Sequence, residues 1–207
     1  VAKANNNGYY NEMLDVMKGL MQALKDNQAL QFAVVTGCLK IAKESIFTGT
    51  NNLVSDTITN SRLNEYFGFV QSEVDLLLKD ADLTTQAENI KKWYDGYYLN
   101  HQHVYNPKAV VSLFTLGVFQ SYWAQTSSYE SIHSLIQMNF DGLKEAVLEM
   151  LSGNEVKMQT TSFQNDMVSF KNMDDVLTAL VHLGYLGYNQ TYKTCLLYTS
   201  PSPRDVE

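Results

Sequence analysis

The chain has 207 residues, 45% of them hydrophobic and 18% charged, with a formal net charge of −7 and two cysteines. That length and apolar content allow one large domain, or one domain with part of a second. The negative balance excludes a protein that coats nucleic acid or anionic lipid through bulk positive charge, two thiols exclude a disulfide framework, and no run of eighteen apolar residues offers a membrane-spanning helix. A cytoplasmic, reducing environment is the expectation.

The N-terminus, Val1-Ala2-Lys3-Ala4 followed by Asn5-Asn6-Asn7-Gly8, has no starting Met and no signal-like apolar stretch, so it reads as a cut rather than a natural beginning. From Tyr9 to Lys25, Met13, Leu14, Met17, Leu20, Met21 and Leu24 recur at three and four, the stripe of an amphipathic helix. Leu30-Gln31-Phe32-Ala33-Val34-Val35 follows, an apolar run stopping at Thr36-Gly37 that reads as a buried parallel strand. Such a strand needs neighbours on both sides, and the sequence before residue 120 offers no comparable candidate, Leu53 to Ile58 being at best a short extended piece. The expectation is that they lie upstream of Val1, leaving the apolar faces of Leu30 to Val35 uncovered.

Helices then dominate the reading. Ser72 is a candidate N-cap for Val74 to Leu78, with Glu73 and Asp75 in the first turn. Thr84 or Thr85 opens a helix carrying Ile90, Trp93 and Tyr94 and ending at Asp95-Gly96, and Asn106-Pro107 starts another through Val110, Val111, Leu113 and Phe114. Further helices are expected from Ser128 or Ser131, from Asp141 to Leu151, and from Asp174 to Leu183 before Gly184. Glu155 to Phe170 alternates enough for strand pairs, and Tyr185 to Asn189 reads as the start of a strand.

Residues Cys195 to Asp205, CLLYTSPSPRD, back-translate to a string that looks like the read-through of a transposase-based sequencing-library adaptor. Residues 195–207 are therefore expected to be a non-native tail outside the fold. Cys38 is then the one native thiol, read as a small buried hydrophobe.

Several local patterns imitate known chemistry. Gly37 to Glu44 follows the expected strand like a phosphate loop, but Ala42 stands where a Gly must let the backbone wrap phosphate, and Glu44 where a hydroxyl must ligate Mg²⁺. Asp141 with Glu155-Val156-Lys157 has the D…ExK spacing of metal-dependent nucleases, yet Asp141 reads as a helix cap. His101 and His103 near Asp95 lack a third ligand at a readable spacing and read as loop histidines, while His133 and His182 read as structural.

Four segments carry a family likeness: FAVVTGCLKIAKESIFTGTNN (Phe32 to Asn52), LNEYFGF (Leu63 to Phe69), IKKWYDGYYL (Ile90 to Leu99) and VYNPKAVVSLF (Val104 to Phe114). In order and spacing they resemble the bacterial AAA-ATPase-like family, whose P-loop NTPase domain is often followed by a PD-(D/E)XK nuclease-like domain. The resemblance implies a fragment lacking the Walker A and Walker B segments, both expected upstream.

It also implies ATP and Mg²⁺ as cofactors of the intact protein, with neither held tightly by this chain. Thr36 and Lys40 would stand at the γ-phosphate sensor position; the family often has Arg where Lys40 stands, so a point charge replaces a bidentate fork. Tyr105, Asn106 and Pro107 would make an adenine-side turn. Trp93, Tyr94, Asp95, Gly96 and Tyr97 form the family's most recognisable block, read from the residues alone as an aromatic cluster locking two helices around a turn.

The expected fold class is mainly α with minor β. It comprises the distal part of an α/β P-loop NTPase core (1–60), a helical lid (61–125) and the start of a small α+β, winged-helix-like C-terminal region (126–194). Nucleotide state would control a downstream effector domain. The rival readings are a non-hydrolysing protein-interaction module and a DNA-acting protein working through an absent nuclease-like domain.

Overall fold

The computed structural model describes residues 7–37, 54, 56–60, 62–122, 133, 135–163 and 170–197. The expected helix starts at Ser128 or Ser131, the phosphate-loop-like stretch from Cys38 on, and Lys40 lie outside them. The chain divides into two compact units, Val1–Ser55 with Thr161–Lys171, and Asp56–Thr160 with Asn172–Glu207.

In the first unit, helix α1 (Tyr10–Asp26) forms where the apolar stripe predicts it, burying Leu14 and Met21 with Tyr10, Met13, Met17 and Leu24 packed around them. The expected buried strand does not form. Residues 30–37 have no regular structure, and Phe32 and Val34 are 79% and 70% exposed. A run rich in strand formers becomes a strand only when a partner satisfies its backbone groups, and no strand pairs with it among the described residues.

The second unit holds a six-stranded sheet in the order β1-β3-β2-β5-β6-β4. Its strands are β1 (Phe69–Val70), β2 (Asp95–Leu99), β3 (Gln102–Tyr105), β4 (Val156–Lys157), β5 (Leu186–Asn189) and β6 (Thr194–Leu197). Only the β2/β5 pairing is parallel. The helices of this unit are α2 (Gln71–Asp80), α3 (Ala87–Tyr94), α4 (Pro107–Leu116), α5 (Leu143–Leu151) and α6 (Met173–His182).

The expected mainly α class is thus corrected to α/β with a mixed sheet. Strand β5 forms within the Tyr185 to Asn189 stretch where a strand is expected, and β4 lies within the alternating Glu155 to Phe170 stretch. Strands β1, β2, β3 and β6 escape sequence reading because they run only two to five residues, too short for a period-two signal, and the longest begins inside a block that reads as a turn between helices.

Several helix ends differ from expectation for local reasons. Helix α2 starts after Val70 rather than at Ser72, because Phe69 and Val70 pair with Tyr105 and Val104 and pass straight into the helix, where the Glu73 carboxylate accepts from the Val70 N–H. Asp141 does not cap α5; Gly142, at φ 81°, precedes its first residue. Asn106 caps α4 as predicted, its side-chain oxygen accepting from the Ala109 N–H at 3.2 Å with Pro107 in the first turn. Asn172 does the same for α6, accepting from Asp175 N–H.

A buried cluster gathers Val74, Leu78, Ile90, Tyr94, Tyr105, Val110, Leu113 and Tyr122. Further along the chain, Leu143, Met150, Met158, Val176, Leu177, Leu180, Leu186 and Tyr188 are buried. Each such side chain contributes roughly 1.5–3 kcal/mol on burial.

Strand β6 runs three residues past Thr194, where the sequence reading ends the fold. Cys195 is wholly buried and pairs with Val156 on one side and Tyr188 on the other. The apolar Cys-Leu-Leu run fits a pleated, half-buried surface, and the turn at 190–193 returns it beside β5.

Candidate functional site

The Trp93 to Tyr97 block is an elbow where α3 passes directly into β2. Its first half faces the helical core. The Tyr94 hydroxyl donates to Gln120 O at 3.1 Å and accepts from Gln120 N–H at 3.2 Å, and its ring stacks on Phe119 at 6.0 Å and lies 6.1 Å from Tyr122. Burial pushes the Tyr94 phenol up to about 12. Trp93 lies 6.2 Å from Phe119. The aromatic cluster expected from the sequence does not lock two helices around a turn: it ties the end of α3 to Phe119 and Tyr122 in the irregular stretch that follows α4.

Gly96 carries a β-bulge. Asp95 pairs with Tyr105 and Tyr97 with Val104, so two steps on β2 answer one on β3. The kink brings Asp95 diagonally against His103, with Oδ2 2.5 Å from Nδ1, a close contact that is an ion pair only when the imidazole is protonated. Burial holds the Asp95 carboxyl above its ordinary value, opposed by the neighbouring His103 and Lys91 charges. His103 also packs its ring 5.0 Å from Tyr98. The arrangement is a half-sheltered carboxylate and imidazole facing each other at the β2/β3 bulge.

Beyond the bulge Tyr97 is buried, and its hydroxyl donates to Val181 O at 3.1 Å, the last turn of α6. Desolvation raises its pKa strongly. Gly187, opposite on β5, has no room for a side chain, since a Cβ there would sit 2.5 Å from Gly96 O.

The other predicted residues are placed as follows. Thr36 lies in the exposed irregular stretch of the first unit, without a described polar partner set around it. Tyr105 is fully buried on β3, its hydroxyl donating to Gln71 Oε1, and desolvation raises its pKa. Asn106 spends its side-chain oxygen on the α4 cap, and Pro107 is exposed. Tyr105-Asn106-Pro107 and Trp93 to Tyr97 meet: Asn106 N–H donates to Tyr94 O at 3.3 Å.

His101 is exposed at φ 64°, the second residue of a two-residue hairpin turn with Asn100 at φ 48°. Glu155 accepts a hydrogen bond from the Thr194 hydroxyl, Lys157 is exposed on β4, and Asp141 is exposed in a turn. Among the described residues no group of three or more His, Cys, Asp or Glu side chains is placed to hold a metal ion, and no helix is long and apolar enough to cross a membrane.

Sequence reasoning missed Gln190. Its Oε1 accepts from Asn100 N–H at 2.8 Å and from Asn64 Nδ2 at 3.4 Å, its Nε2 donates to Thr59 O at 3.4 Å, and its N–H donates to Tyr98 O at 2.9 Å. These partners lie about a hundred residues away in the chain, so no local pattern announces them.

No protein-family model matches the chain, and no solved structure matches it. It is similar to an uncharacterised protein in the vnfD 5′ region of Azotobacter chroococcum mcd 1, 32% identical over 118 residues. The match takes in 56% of this chain and 23% of that protein, so the chain spans about a quarter of its relative's length.

Proposed function

We propose that this chain is part of a longer, cytoplasmic, ATP-binding protein of the AAA-ATPase-like kind, in which nucleotide state controls a downstream effector domain. The observation that carries the reading is the ordered set of four segments from Phe32 to Phe114. Its support in the fold is that two of those segments, around Trp93 to Tyr97 and Tyr105 to Pro107, meet at one elbow built on Asp95, Gly96 and the Asn106 cap.

The described residues do not by themselves fit a nucleotide. Thr36 stands exposed, and the Tyr105 hydroxyl and Asn106 side-chain oxygen are engaged within the fold. ATP and Mg²⁺ therefore belong to the longer protein in this proposal, with Thr36 and Lys40 contributing a sensor contact to phosphate.

A second reading, a non-hydrolysing interaction module, draws on the exposed apolar stretch at Leu30 to Val35. Direct DNA reading by α6 is disfavoured: residues Asp175 to Val181 are all buried and its first turn is acidic.

Equilibrium binding of fluorescent ATP to the full-length protein and to this chain tests the proposal. Binding by the full-length protein, weakened at least tenfold by Lys40→Ala, is expected, with none by the chain alone. Failure of the full-length protein to bind would reject the ATPase reading in favour of the interaction module.

A further inference from the structure

The sheet joins parts of the chain that sequence reading separates. Strand β2 belongs to the expected lid and β5 to the expected C-terminal region, yet they pair in parallel through Tyr97 with Tyr188 and Tyr98 with Asn189. The seam is closed at one end by Tyr97 hydroxyl on Val181 O and by the close approach of Gly187 to Gly96. At its other end Gln190 reaches across it.

Gln190 makes four contacts to two separate stretches of chain. Its main chain continues the β2/β5 ladder at Tyr98 O, and its side chain takes the Asn100 N–H in the β2–β3 turn. The same amide ties in the buried Asn64 and the carbonyl of Thr59, in the segment that enters this unit. Thr59 is held a second time, its hydroxyl 3.2 Å from His182 Nε2 at the end of α6. A side-chain amide has two donors and two acceptor sites, and here both ends are used on backbone and buried polar groups.

We propose that Gln190 is a strap that fastens the entering segment 56–64 and the β2–β3 turn to the β5 end of the sheet, so that residues 56–122 and 172–197 move as one body. The predicted lid is then not hinged against the C-terminal region at residue 125. Any motion imposed on the segment at Thr59 is passed to β5 and α6 through the strap. The inference stands on the geometry of the second unit and is independent of whether ATP is bound.

Amide hydrogen exchange of the whole chain, resolved to single residues, tests it with two variants. Gln190→Ala removes both ends of the strap: exchange at Asn100, bonded to Gln190, and at Asn60, which donates to Thr57 O within the entering segment, should rise at least tenfold, while α3 and α4 amides keep their protection. Gln190→Glu keeps the acceptor for Asn100 and Asn64 but loses the donor to Thr59, so Asn60 should be deprotected and Asn100 not.

Unchanged exchange at both reporters in Gln190→Ala would overturn the strap. So would a uniform rise at all amides, which would mark Gln190 as a contributor to global stability alone. Two separate thermal transitions in the wild-type second unit would overturn the single body.

Discussion

His101 holds a left-handed backbone at φ 64° in a turn where glycine is the favoured occupant, because a Cβ there crowds the neighbouring carbonyl. His101→Gly is predicted to stabilise the chain by about 1 kcal/mol, read as a higher urea midpoint with an unchanged slope. His182 behaves differently. Burial lowers its imidazole to about 4 from 6.5, so the folded state favours the neutral form. A depressed pKa contributes stability that is present above pH 6.5 and is lost as pH falls toward 4. The predicted loss is on the order of 3 kcal/mol, and His182→Gln should flatten the stability profile across that window. Chemical-denaturation curves at pH 7 and pH 4 measure it. Neither the strain at His101 nor the burial of His182 is written in the local sequence: His101 and His103 both read as loop histidines, but the tight turn keeps only His101 in the loop and puts His103 on β3 against Asp95.

At the scale of elements, the elbow from α3 into β2 and the β2/β5 seam decide the architecture. Gly96 supplies the bulge and Gly187 the close approach. Gly187→Ala is predicted to force the two strands apart and cost about 1–3 kcal/mol, measured as a lower melting temperature with loss of amide protection in β2 and β5. The extent of α1, the start of α4 and the C-terminal end of α6 were readable because their signals are local: an apolar stripe, an Asn-Pro start, a glycine just past the last turn; the Asn172 cap of α6 was not foreseen. Of the sheet, β5 was legible in the Tyr185 to Asn189 run, but the pairing was not, because each strand draws its stability from partners far along the chain. The apolar run Leu30 to Val35 shows the converse: strong local propensity for strand, and no strand where a pairing partner is lacking among the described residues. The WYDGYY block was recognised as important, but its aromatic composition gave no sign that Tyr94 and Tyr97 would be anchored separately, one at Gln120 and the other at Val181.

On the scale of the second unit, the sheet joins β1, β2 and β3 to β4, β5 and β6, so under the strap proposal the stretches 62–122 and 172–197 act together. A nucleotide-dependent movement in the longer protein would then reach α6 and β5 without an internal hinge near residue 125. The sensor assignment of Thr36 and Lys40 rests on family likeness alone, since the exposed stretch around Thr36 carries no geometry that would single it out and Lys40 lies outside the described residues. The measurement that bears most directly on this account is amide hydrogen exchange of the full-length protein with and without MgATP. The account predicts slower exchange around residues 30–40 in the presence of nucleotide, with any accompanying change in β2, β5 and α6 appearing together. Exchange in the 30–40 stretch that is indifferent to MgATP, or a change in β2 that leaves β5 and α6 untouched, would contradict it.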